Sequence, residues 1–154
     1  MPSSTRILDE MHRTLLAELG ARAIYGHLAR FSRDHDLQRV LLELRSEEQQ
    51  QVEGISALIE ALGGRPASRS LRRWLLAGLL ALVAAVFGMR LALRVCCDAE
   101  RTAARWYATY QSFFQAQGQL ELARRAARLG MTKHRHAEAL ATWIEHAPRR
   151  LTKS

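Results

Sequence analysis

A glutamate and a tyrosine stand seven positions apart twice in this chain, as Glu18 and Tyr25 and again, 82 residues later, as Glu100 and Tyr107. Seven residues are two helical turns, so each pair lies on one face of a helix. A second set of polar positions repeats with almost the same displacement. Glu48 and Gln51, three apart, return as Lys133 and His136 after 85 residues, a spacing that also keeps both side chains on one helical face. Such coincidence describes a duplicated helical hairpin, with charge placed where each helix turns towards its core.

The apolar residues trace the helices that carry these positions. From Ile7 to about Arg33, Leu8, Met11, Leu15, Leu19 and Ala23 recur at three-to-four spacing, the period of an amphipathic helix. After the polar turn Ser32 to Asp36 the pattern resumes through Val40, Leu41, Leu44, Val52, Ile55, Leu58, Ile59 and Leu62. It stops at Gly63-Gly64-Arg65-Pro66, because glycine accepts the left-handed conformation past a helix end and proline disfavours helix in the residue before it. Helical signal then runs from Trp74 to about Ala116. A single helix of that length would span about 65 Å, so a break is expected near Gly88. A fourth helix is expected from about Gln119 to His146, with Leu120, Leu122, Leu129, Leu140, Trp143 and Ile144 apolar and Pro148 beyond it.

At 154 residues, 48% of them hydrophobic, the chain suits one core and is too apolar for disorder. The expected organisation is one all-α domain over 1–148. It comprises a hairpin at 7–64, a crossover with an apolar stretch at 65–89 and a hairpin at 90–146, followed by a basic tail at 149–154.

These positions resemble the ferritin-like superfamily, which includes rubrerythrins, bacterioferritins and demethoxyubiquinone hydroxylases. The resemblance spans about 7–146. It rests most on Ala17-Glu18 to Ile24-Tyr25, on Glu47-Glu48 through Ala61-Leu62-Gly63-Gly64-Arg65-Pro66, and on Glu100 to Tyr107. It implies a ferritin-like antiparallel four-helix bundle with a long crossover between helices two and three. The weaker likeness of the stretch with Trp74, Gly78 and Phe87-Gly88 is to the hydroxylase branch. In these families a Glu from each of two helices and a Glu-x-x-His from each of the other two hold two metal ions. The matching positions here are Glu18, Glu48 with Gln51, Glu100, and Lys133 with His136. Glu18, Glu48, Glu100 and His136 are thus the implied metal ligands, and Tyr25 and Tyr107 surround them.

Two positions depart from the pattern. Gln51 replaces an imidazole with an amide, a poor ligand for a transition metal. Lys133 replaces a bridging carboxylate with an ammonium, which cannot ligate and repels a cation. Lys133 is expected to pair with Glu18, Glu48 or Glu100, neutralising carboxylates that would be costly to bury alone. The cofactor expected is therefore none, or one Fe, Mn or Zn ion, rather than a di-iron centre. No catalytic residue is assigned. Tyr25 and Tyr107 read as buried tyrosines bonded to nearby carboxylates. On a helix His134 and His136 point about 200° apart, so only one faces inward. His12, His27, His35 and His146 show no ligand spacing, and adjacent Cys96 and Cys97 read as small apolar packing residues without a disulfide.

Charge bears on partners. The net +8 divides unevenly: residues 1–64 hold 7 Lys and Arg against 10 Asp and Glu, and residues 65–154 hold 16 against 5. Trp74 to Met89 is sixteen residues without a charge, about 24 Å as helix and short of a membrane span. With Arg69, Arg72, Arg73, Arg90 and Arg94 around it, the stretch suits a homodimer interface or peripheral contact with anionic lipid through 69–94. Arg124, Arg125, Arg128 and Arg135 could face phosphate, yet no nucleic-acid-binding signature accompanies them, and nucleic acid is not the expected partner. Met1 to Arg6 lacks the apolar run of a secretory signal, and Asp9, Glu10 and Glu18 do not suit a transit peptide. The expected location is cytoplasmic or peripheral to a membrane. The function expected is binding or assembly by a bundle with a depleted metal site, with an iron-dependent oxidoreductase or hydroxylase of the di-iron carboxylate type as the alternative.

Overall fold

The computed structural model of the chain describes residues 3–67 and 88–150, with side chains through residue 146. The described residues form four helices: α1 (Ser4–Phe31), α2 (His35–Ala61), α3 (Met89–Ala116) and α4 (Leu120–Arg150). The expected apolar stretch lies outside the described residues over 74–87, together with Arg69, Arg72 and Arg73. The last four residues of the basic tail lie outside them as well. None of the described helices is long and apolar enough to cross a membrane.

Local chemistry sets the helix ends. Asp34 caps α2, its Oδ1 accepting from the backbone N–H groups of Asp36 at 2.8 Å and Leu37 at 3.0 Å, two donors that the helix cannot satisfy itself. At the end of α2 the Gly64 N–H donates to Ile59 O and the Gly63 N–H to Glu60 O, with Gly63 at φ +78°. The end of α3 repeats this motif: Gln119 N–H to Phe114 O, Gly118 N–H to Gln115 O, and Gly118 at φ +70°. Both are Schellman turns, which need a left-handed residue and therefore favour glycine. Helix α4 runs to Arg150 and passes through Pro148, beyond the end expected near His146. Proline's φ near −65° is itself helical, and so close to the end it forfeits only one backbone bond.

The helices form a four-helix bundle in which α1 packs on α2 and α3, and α4 packs on α3 and α2. Two apolar clusters fill it. One joins Leu28, Leu37, Leu41, Ala92, Leu93 and Leu140. The other joins Ile7, Met11, Ile55, Leu58, Phe113 and Phe114, where Tyr107 meets Tyr110 edge-on with ring centroids 5.8 Å apart, a favoured aromatic geometry. The His12 ring adds a tie between Leu8 O and Arg65 O, 2.9 Å from each, fastening the exit of α2 to α1. Between the two clusters lies a layer of charge.

Candidate functional site

Every helix contributes to that layer. Glu18 comes from α1, Glu48 from α2, Glu100 from α3, and Lys133 and His136 from α4; all five are 3% exposed or less. The Lys133 Nζ donates to Glu48 Oε1 at 2.7 Å and Oε2 at 2.8 Å, touches Glu18 Oε2 and lies 3.2 Å from Glu100 Oε2. His136 Nδ1 is 3.0 Å from Glu48 Oε1, and its Nε2 is 3.0 Å from Glu47 Oε2. The tyrosines complete the layer: Tyr107 donates to Glu18 Oε1 at 2.8 Å, and Tyr25 donates to Glu100 Oε1. One step outward, Thr14 Oγ1 and the Tyr110 hydroxyl are 2.6 Å apart.

Burial acts on each charge, and its partners decide the outcome. Burial pushes the Glu18 carboxyl up to about 8 against the pull of Lys133. Glu48 is buried too, but its bonds to His136 and the Lys133 charge prevail and hold it down near 2. Burial lowers His136, yet Glu100 and Glu48 outweigh it and raise the ring to about 10. Lys133 is likewise raised by Glu18, Glu48 and Glu100 despite its burial. At neutral pH two cations, Lys133 and His136, therefore stand beside the Glu48 carboxylate, while Glu18 keeps its proton.

A pH dependence follows. A carboxyl whose folded value lies above its unfolded one favours the folded state at low pH and loses that contribution as pH rises through the folded value. For Glu18 the loss runs from about 4.5 to about 8. The Glu18→Gln variant removes this titration and leaves the surface charges in place. The melting temperature of the unsubstituted protein should fall relative to that of the variant between pH 4.5 and pH 8; a constant difference would show that Glu18 does not titrate in that range.

No protein-family model, curated protein or solved structure matches this chain.

The layer can therefore be tested only on its own chemistry. Glu48, Glu100 and His136 each offer a ligand atom, and the three atoms lie within 4.8 Å of one another, a spacing that one ion could use. Two ions do not fit these residues. The Lys133 ammonium stands among the carboxylates that would bridge them, already bonded to both oxygens of Glu48, and a metal beside it would meet like charge at short range. Gln51 is buried, and its Oε1 has no hydrogen-bond partner; a neutral amide oxygen there is a poor ligand for a transition metal.

All eight positions singled out by the spacing, from Glu18 to His136, are buried. Spacing did not reveal Glu47, which bridges His136 to Arg135 at the surface, nor the Thr14–Tyr110 pair. The available signal was position: Thr14 lies one turn before Glu18, and Tyr110 lies three residues after Tyr107. Cys96 and Cys97 are free and buried. Burial pushes the Cys96 thiol up to about 12, and Cys97 donates to Ala137 O at 3.3 Å; both remain protonated packing groups.

Proposed function

We propose that this chain is a ferritin-like bundle in which a lysine has taken the place of the metal ions, and that it works by binding or assembly rather than by oxygen chemistry. One observation carries the reading: a single ammonium, Lys133 Nζ, is shared among Glu18, Glu48 and Glu100. Inward acidic groups need a positive partner, and a cation supplied by the chain itself meets that need without a ligand.

The helix directions support a ferritin-like arrangement. Partner numbers fall along α3 as they rise along α1, from Thr14 with Tyr110, through Glu18 with Tyr107, to Tyr25 with Glu100. That order supports an antiparallel pairing of the two helices. The end of α2 packs in the cluster with Phe113 and Phe114, whereas the start of α3 packs in the cluster with Leu28 and Leu37. This separation supports a long crossover between α2 and α3. On the outside, Leu91 and Val95 are exposed apolar residues of α3 beside Arg90 and Arg94, a surface suited to a second subunit or to anionic lipid.

A single-ion centre at Glu48, Glu100 and His136, serving the di-iron type of oxidoreductase in reduced form, is the second reading, and the mutual spacing of those ligand atoms favours it. Metal analysis of protein purified without chelator separates the two. Substoichiometric metal is expected; one or two irons per chain would overturn the metal-free reading.

A further inference from the structure

Helix α3 carries a pattern that the core does not use. Arg90-Leu91, Arg94-Val95, Arg101-Thr102 and Arg105-Trp106 each set a basic residue before its neighbour, at successive spacings of four, seven and four. Those spacings gather each set into an arc of about 60° on a helix. The result is two parallel rows on α3, each about 24 Å long.

Both rows face outward. All four arginines are exposed, as are Leu91 at 43%, Val95 at 44% and Trp106 at 39%. Thr102 is half-buried, and Arg105 donates to its Oγ1 at 2.8 Å. Asp98 is the one exposed acid of α3 and is paired with Arg101 at 3.4 Å. Arg90 and Arg94 have no acidic partner among the described residues. An apolar row and an unneutralised basic row thus share one side of the helix.

The order of residues on this side selects the partner. A helix, from a second copy or from another protein, docks along positions alternately four and three apart and needs them apolar. Here that path reads Leu91, Val95, Asp98, Thr102 and Arg105, with charge in its middle and at its end. Nucleic-acid phosphates would match the arginines and leave the apolar row in water. An anionic bilayer surface takes both rows at once. The apolar side chains enter the boundary between headgroups and acyl chains, the Trp106 indole suits that boundary, and the arginines beside them meet the lipid phosphates. We infer that α3 lies along an anionic lipid surface through these two rows. This names a partner for the binding reading proposed above, on which it rests.

Flotation of the full chain, its metal content measured first, tests the inference with vesicles of phosphatidylcholine alone and of phosphatidylcholine with phosphatidylglycerol. Binding is expected to the second kind only and should weaken as salt rises. Arg90→Gln with Arg94→Gln should weaken it about thirtyfold, at about fivefold for each arginine near such a surface. Leu91→Gln with Val95→Gln should weaken it about tenfold or more. Arg125→Gln with Arg128→Gln removes the same charge from exposed positions on α4 and should have a much smaller effect. All six positions are exposed, so the melting temperatures should stay close to that of the unsubstituted protein. No flotation, equal flotation with neutral vesicles, or an Arg90 and Arg94 variant that binds no more weakly than the Arg125 and Arg128 variant would overturn the inference. So would a Leu91 and Val95 variant that floats normally but sediments as a smaller oligomer, which would make the face a subunit contact. Each of these results leaves the metal-free reading standing; one or two irons per chain would overturn that reading whatever the vesicles show.

Discussion

Replacing Lys133 with methionine should destabilise the fold by about 3–5 kcal/mol, the usual cost of removing one partner from a buried charge pair. A domain of this size is typically stable by about 5–15 kcal/mol, so urea melts should show a large drop in midpoint. Methionine approximates the lysine stem in volume, which confines the effect to the ammonium. Without it, Glu18, Glu48 and Glu100 keep only His136 as a counter-charge, and the cheapest response is for the carboxyls to take up protons. The loss should therefore be larger at pH 8 than at pH 5. An equal loss at both values would mean that packing of the stem, and not charge, is what Lys133 supplies.

The double substitution Gln51→His, Lys133→Glu should have the opposite kind of effect and create a metal centre. It reverses both departures from the Glu-x-x-His pattern and removes the ammonium from the cluster. Four carboxylates would then balance two divalent ions. Two ions per chain are expected after reconstitution with iron or zinc, and the melting temperature should become sensitive to chelator. Ligand linkage adds about 2.7 kcal/mol when free metal is a hundredfold above its dissociation constant. Gln51→His alone retains the ammonium and should not load two ions. If the single and double variants bind metal alike, Lys133 is not what excludes it.

Much of the layer is legible in the sequence because it obeys helical geometry. Spacings of seven and three identify Glu18 with Tyr25, Glu100 with Tyr107, and Lys133 with His136 as inward pairs, and each of these side chains is buried. Gly63-Gly64 likewise marks the end of α2, where a left-handed residue closes the turn. What spacing cannot supply is the reach of a side chain across to another helix. Glu47 stands next to Glu48 on a half-exposed flank, and only the position of α4 brings His136 Nε2 within 3.0 Å of it. Nor does spacing predict how three carboxylates share one ammonium. That Glu18 keeps a proton while Glu48 falls near 2 depends on burial and on the bond that His136 makes to Glu48, quantities fixed only once the helices are assembled.

The charged layer also acts as an alignment key. Alanine-rich helices such as α3 and α4 can slide past one another at little cost, since one apolar contact replaces a similar one. A slip of α4 by one turn would carry Lys133 about 5.4 Å along the bundle axis, out of reach of Glu18, Glu48 and Glu100. Each stranded carboxylate would then cost several kcal/mol. Since every helix holds at least one member of the cluster, misaligned assemblies of the four helices are penalised together, and the bundle settles into a single packing.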